Sequence, residues 1–132
     1  MDENSIISLT DCVIKQESTV VLDKVNLEVN RGEFVYLIGR TGSGKSSLLR
    51  TLYGDLKLTE GEGKIVNFDL RSISRKKISE LRRTIGIVFQ DFQLLMDRSV
   101  QENLKFVMKA TGWKDKARMQ AKVDELLARV GV

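Results

Sequence analysis

Gly39-Arg40-Thr41-Gly42-Ser43-Gly44-Lys45-Ser46 is the stretch on which the reading of this chain turns. It fits G-x-x-x-x-G-K-[ST], the phosphate-binding pattern known as Walker A, and each position has a physical reason. Glycines let the backbone curl tightly and approach a ligand with no Cβ in the way. Successive N–H groups then point into one concavity, a nest for anions. A helix opening near Ser46 adds its positive N-terminal end. Lys45 reaches the β- and γ-phosphates as a point charge, Ser46 offers a hard oxygen suited to Mg²⁺, and Ser47 is placed for the α-phosphate. A Gly/Ser turn that happens to carry a lysine would match the same string. The flanks argue against it, because the pattern requires a strand before and a helix after.

Both flanks are present. Phe34-Val35-Tyr36-Leu37-Ile38 is a continuous apolar run of strand length, which predicts a strand buried on both faces, as in a parallel sheet. Beyond the loop, Leu48, Leu49, Leu52 and Tyr53 fall at helical spacing, and Gly54 sits where a helix C-terminal glycine belongs. Upstream, residues 6–14 are rich in β-branched side chains and predict a strand. Val25, Leu27 and Val29 alternate with polar neighbours and predict a half-buried one, closed by a turn at Asn30, Arg31 and Gly32.

Downstream, residues 64–68 predict a short strand with Gly61 and Gly63 as turn residues before it. Residues 74–84 predict a basic helix. Ile85-Gly86-Ile87-Val88-Phe89 predicts a second strand buried on both faces. Val100, Leu104, Val107 and Met108 share a helical face, and Ser99 with Glu102 forms a Ser-x-x-Glu capping box. Gly112 breaks the chain, and Val123, Leu126, Leu127 and Val130 mark a last helix over 114–130. The order predicts an α/β fold with an antiparallel attachment at its start.

Composition sets the bounds. With 132 residues the prior is one domain, and 42% hydrophobic with 30% charged residues is globular composition. The net charge of +4 is compatible with an acidic partner or membrane surface without demanding one. There is no His, which removes histidine bases, Ser-His triads and most zinc sites. The single Cys excludes an intrachain disulfide, and the absence of Pro leaves turns to Gly, Asn, Asp and Ser. The acidic start, Asp2-Glu3-Asn4, does not read as a signal peptide, and no apolar run approaches the ~20 residues a spanning helix needs. A cytoplasmic protein, with peripheral membrane association at most, is expected.

The segment VVLDKVNLEVNRGEFVYLIGRTGSGKSSLLRTLYG resembles the opening of ABC-type ATPase domains. About 45 residues past Lys45, IGIVFQDFQLL resembles that family's Q-loop, with Gln90 as its glutamine. Within the family, DFQLLMDRSVQENL is most similar to the cell-division (FtsE) branch. The resemblance implies a P-loop NTPase fold of the ABC class, of which residues 1–132 form the N-terminal portion. Residues 1–90 would hold the β region and P-loop core, and residues 91–132 the start of the helical subdomain. It implies that Gly39, Arg40, Thr41, Gly42, Ser43, Gly44, Lys45, Ser46 and Ser47 bind ATP, and that Ser46 and Gln90 serve Mg²⁺. Gln90 would also position the attacking water, with Lys45 beside it in catalysis; an amide can both ligate and donate. By the same resemblance residues 94–100 would dock a transmembrane partner of the FtsX kind, with Leu94, Leu95 and Met96 as an apolar patch, although a local core plug fits the same residues. A second ATPase subunit would complete a homodimer on the cytoplasmic face of the inner membrane.

Some family features do not occur in these residues. There is no LSGGQ signature, no switch histidine, and no apolar strand running into Asp-Glu. Asp124-Glu125 lies in a helical pattern and reads as a solvated face. The aromatic that stacks on adenine in many relatives would fall near Ile14 or Lys15, and neither is aromatic. Phosphoryl transfer needs water positioning, metal clamping and charge stabilisation together. The expectation is therefore a chain that binds Mg·ATP at best weakly and does not turn it over, cut from a protein of roughly 220 residues. The apolar 34–38 run would then lack sheet neighbours and favour an oligomer. Two rivals remain: the ATP-binding subunit of a solute or lipoprotein transporter, and a non-catalytic nucleotide-binding module.

Smaller signals are bland by comparison. Arg71, Arg75, Lys76, Lys77, Arg82 and Arg83, interrupted by Glu80, read as a solvated helix face, with proximity to anionic lipid as the second reading. No aromatic residues are interleaved there, so nucleic acid is not an expected partner. Cys12 reads as a small buried hydrophobe and Trp113 as a residue at a helix junction.

Overall fold

A computed structural model describes residues 2–132; Met1 lies outside the described residues. The elements are β1 (Ser5–Gln16), β2 (Thr19–Asn30), α1 (Lys45–Leu52), β3 (Glu60–Ile65), β4 (Phe68–Asp69), α2 (Arg75–Thr84), α3 (Val100–Ala110) and α4 (Lys116–Val130). The fold is mixed α/β, with an antiparallel sheet. The chain divides into two compact units, Met1–Gly86 and Ile87–Val132.

The first unit is built on a four-stranded sheet in the order β2-β1-β3-β4, antiparallel at every pairing. A two-residue turn at Glu17 and Ser18 closes β1 onto β2, with Gln16 opposite Thr19. β1 buries Leu9, Cys12 and Ile14, a spacing that simple alternation does not allow. A bulge resolves it. The register slips between Leu9 and Cys12, Asp11 takes a positive φ of 46°, and the Asn26 side-chain oxygen accepts from the Asp11 N–H at 3.0 Å. The extra residue resets the pleat so that both halves of the strand face one core.

Against that face lie Leu48 and Leu52 of α1, Leu81 of α2, and Leu58, Ile65 and Leu70. Burying each of these side chains is worth about 1.5–3 kcal/mol. The expected turn glycines are strand residues instead. Gly63 faces Leu9 across the β1–β3 ladder, where a Cβ would meet Leu58 Cδ2 at 2.7 Å and Leu9 Cδ2 at 3.0 Å. The short strand expected over 64–68 is the junction of β3 and β4, turning at Val66 and Asn67.

The second unit packs Met108 of α3 with Met119 and Val123 of α4, framed by Leu104, Trp113, Leu126 and Leu127. The Ser99–Glu102 capping box is present in both directions, and Asp115 caps α4. Glu125 pairs with Lys122 on an exposed helix face and Asp124 accepts from Gln120, as a solvated face requires.

Two expectations fail here. Residues 34–38 and 85–89 form no strand, and Phe34, Tyr36, Ile38 and Val88 are exposed at 82%, 79%, 89% and 92%. A strand exists through the ladder it shares, and every strand among the described residues belongs to the antiparallel sheet. The apolar runs correctly signal segments that demand burial; they do not supply the neighbours that would provide it.

Candidate functional site

The P-loop runs from Gly39 to the start of α1. Gly39 lies close under the loop, where a Cβ would meet Ser43 Oγ at 2.6 Å and oblige that hydroxyl to turn away. The loop closes on itself where the Ser43 N–H donates to the Arg40 carbonyl at 3.0 Å. Gly44 then occupies the helix N-cap at φ 98° and ψ 7°, a left-handed conformation that glycine adopts freely. It rests directly on β2, with Leu22 Cγ and Val21 Cγ1 at 2.8 and 2.9 Å from the position a Cβ would take. The local sequence thus forces a tight approach of loop to sheet, and the sheet holds the loop's shape.

No side chain caps α1, and its first turn carries no acidic residue. Its ladder begins with Leu48 N–H donating to Gly44 C=O at 3.0 Å, so the N–H groups of the turn before it are the usual orphan donors of a helix start. Lys45 folds back over the loop, its ammonium donating to Gly39 O at 2.5 Å, Arg40 O at 2.7 Å and Ser43 Oγ at 3.3 Å. Arg40, Thr41, Gly42, Ser43 and Ser46 are exposed, whereas Ser47 is buried at 7% and its carbonyl accepts from Thr51 Oγ1 at 2.8 Å. Residues 39–46 therefore lie together around the loop, with a cation, orphan donors and hydroxyls, while Ser47 is turned into the interior.

This arrangement fits a polyphosphate, and it fits Mg²⁺ only as the phosphate's companion. Among the described residues no group of three or more Asp, Glu, Cys or His could hold a metal. Mg²⁺ prefers a few protein ligands plus phosphate oxygens and water, and the exposed Ser46 hydroxyl suits that role.

Gln90 lies in the second unit, exposed, at the start of a turn through residues 90–93. That turn puts two successive non-glycine residues in the left-handed region, Phe92 at φ 58° and Gln93 at φ 49°. Past it, Leu94 and Met96 are exposed at 57% and 89%, and Leu95 is half-buried. They form no core plug.

Sequence reasoning missed two residues that shape these loops. Asn103 on α3 accepts from Leu95 N–H at 2.8 Å and donates to the carbonyls of Leu95, Arg98 and Ser99 at 3.0, 3.3 and 2.9 Å. One amide thereby braces the whole segment, and nothing in the spacing of the residues announces it. Leu22, under Gly44, is the other; a floor residue becomes visible only once the loop is folded over it. The capping box was legible, and its physics shows in Glu102. The Ser99 backbone N–H donates to Glu102 Oε2 at 2.8 Å and, with the Ser99 hydroxyl, holds that carboxyl below the usual carboxylate range.

With this geometry in hand, comparisons with known proteins are informative. The family model described as ABC transporter matches residues 22–132. The cell division ATP-binding protein FtsE of Streptococcus pneumoniae serotype 2 is 37% identical over 129 residues, covering 97% of this chain and 56% of that protein. The methionine import ATP-binding protein MetN of Rhizobium johnstonii is 38% identical over 127 residues, covering 96% of this chain and 35% of that protein. Among solved structures, the ATP-binding cassette MJ0796, dimeric in a post-hydrolysis state with ADP and Pi, superposes with a TM-score of 0.78 at 29% identity. That match covers 92% of this chain and 56% of that one. The chain spans about a third to a little over half of the lengths of these relatives.

Proposed function

The chain belongs to the ABC transporter family, and from that premise we propose that it is the ATP-binding portion of a membrane-associated assembly of the FtsE kind, which couples ATP binding and hydrolysis to a transmembrane partner. The observation that carries the reading is the P-loop itself: an uncapped, acid-free helix start at Gly44, held against β2, with the Lys45 ammonium over the loop. In this reading Lys45 leaves the carbonyls of Gly39 and Arg40 and turns to the phosphates, exchanging one set of charge-assisted bonds for a stronger set. By the family resemblance Ser46 would hold Mg²⁺, and Gln90 would be the Q-loop residue that serves the metal and the attacking water. A second ATPase subunit closes over the nucleotide, and an FtsX-like subunit docks on the exposed Leu94 and Met96. No helix among the described residues is long and apolar enough to cross a membrane.

A second reading has a specific observation behind it. MetN is 38% identical to this chain where FtsE is 37%, so an ATP-binding subunit for solute or lipoprotein transport shares the same support. The DFQLLMDRSVQENL stretch favours the cell-division branch.

Calorimetry with Mg·ATP tests the core of the proposal. Binding heat is expected for the chain and a loss of at least about tenfold in affinity for Lys45→Ala, since a charge-assisted bond contributes about 1.5–3 kcal/mol. Phosphate release is expected to be absent, because the chain holds no Walker B carboxylates, signature loop or switch histidine. No magnesium-dependent heat from a folded sample would sink the nucleotide reading. Turnover abolished by Lys45→Ala would sink the expectation of inactivity.

A further inference from the structure

The chain's surplus of charge is concentrated on one short helix. Over Arg75–Thr84, α2 carries five cations, Arg75, Lys76, Lys77, Arg82 and Arg83, against one acid, Glu80. Its net +4 equals that of the whole chain, so the remaining residues balance to zero. The charges are also sorted by face. At helical spacing Arg82, Arg75, Ser79, Arg83 and Lys76 follow one another around a sector of about 120°. All five are exposed, and that sector contains no acid. Glu80 lies beyond its edge and is engaged by Lys77, whose ammonium donates to Glu80 Oε2 at 2.7 Å. The opposite side is fixed inward by Leu81, fully buried at 0%. At the near end Arg82 is set in place, its Nε donating to the Tyr53 carbonyl at 3.0 Å with the guanidinium over the Tyr53 ring.

We propose that this stripe of α2 is an interaction surface for the anionic headgroups of a lipid bilayer. Its apolar side is spent on the core, so α2 offers nothing to insert between acyl chains, and attraction is purely electrostatic. A row of exposed cations on a helix that carries no aromatic residue of its own suits a field of phosphate headgroups better than unstacked bases, which need a π-surface. The choice of lipid over another polyanion rests on the membrane-associated reading above, in which a bilayer is the anionic surface at hand. Lipid contact here orients the first unit by charge and requires no nucleotide.

The test is vesicle co-sedimentation of the chain. Vesicles of phosphatidylglycerol with phosphatidylcholine are expected to bind it at about 0.05 M salt and to release it at about 0.5 M, where screening is nearly complete. Phosphatidylcholine alone is expected to bind far less. Arg75→Gln, Lys76→Gln and Arg83→Gln together should weaken partitioning about a hundredfold, about fivefold for each charge removed (about 1 kcal/mol each). Lys109→Gln, Lys114→Gln and Lys116→Gln together, which remove the same charge from exposed positions in the second unit, should retain most of the binding. Circular dichroism checks that both variants fold. Failure of the wild-type chain to bind anionic vesicles, equal binding to neutral ones, or equal loss in the two triple variants would overturn the proposal. So would tighter binding to a duplex oligonucleotide lost in the same α2 variant, which would assign the stripe to nucleic acid. Lys45→Ala is expected to keep vesicle binding while losing nucleotide, so the two readings fail independently; vesicle binding lost with Lys45 would overturn this one.

Discussion

Replacing Gly44 by alanine tests the seating of the P-loop on the sheet, and the structure sets the size of the effect. At φ 98° an L-residue is strained, at a cost of about 1–2 kcal/mol. The new methyl would also stand 2.8 Å from Leu22 Cγ and 2.9 Å from Val21 Cγ1. Leu22 Cγ is a branch point and Val21 Cγ1 a methyl on a β-branched side chain with little χ1 freedom, both on a paired strand, so relief requires β2 to shift; overpacking of this kind costs about 1–3 kcal/mol. The two contributions sum to about 3 kcal/mol. Gly42 supplies the internal control. It too has a positive φ, 82°, but nothing lies within 4 Å of its would-be Cβ, so Gly42→Ala should cost only the backbone share, about 1–2 kcal/mol. Hydrogen exchange at β1 and β2 amides reports the opening of the first unit directly. Gly44→Ala should speed exchange there about a hundredfold, with Gly42→Ala distinctly less, since each factor of ten corresponds to about 1.4 kcal/mol. Equal effects from the two substitutions would refute the contact with Leu22 and Val21, and with it the claim that β2 shapes the phosphate loop.

Two further outcomes concern the second unit. Asn103→Ala removes four hydrogen bonds to the 95–99 segment and should raise its cleavage rate by an added protease several-fold, at a cost of about 1–2 kcal/mol, while Met108 and Val123 keep the helices packed. Ser99→Ala should destabilise α3 by about 1 kcal/mol at neutral pH. The folded-state titration of Glu102 lies below its unfolded value, so its share of the cap is fully present above the ordinary carboxylate range and is lost as pH falls through the lowered value. Urea unfolding followed by Trp113 fluorescence should therefore show the deficit of Glu102→Ala, which removes the carboxylate that accepts from the Ser99 N–H, shrinking below about pH 4; a Glu102→Ala deficit unchanged down to acid pH would contradict the reciprocal box.

What was legible in the sequence was local. The first strand, the glycine loop opening α1, Gly54 beyond its end, and the cap of α3 each depend on residues a few places apart and stand where the pattern put them, whereas β2 begins at Thr19, well ahead of the alternation at 25–29. What was not legible depends on distant partners. The bulge at Asp11 needs Asn26 from the neighbouring strand, and Gly63 is a strand residue because Leu9 and Leu58 crowd it. The apolar runs at 34–38 and 85–89 show the limit most plainly. Their composition is that of buried strands, yet burial and pairing are properties of neighbours, and among the described residues no strand lies beside them. The site divides the same way. Residues 39–46 came together because the motif is contiguous, whereas Asn103 entered only through the fold.

Cys12 is fully enclosed in the first unit, with its Sγ directed at the Glu62 carbonyl 3.1 Å away, and burial raises its pKa. It is the chain's lone thiol. A maleimide can reach that sulfur only while the core around it is open, which makes the molecule its own stopwatch: labelling kinetics, taken with and without nucleotide, time how often the core beneath the phosphate loop comes apart.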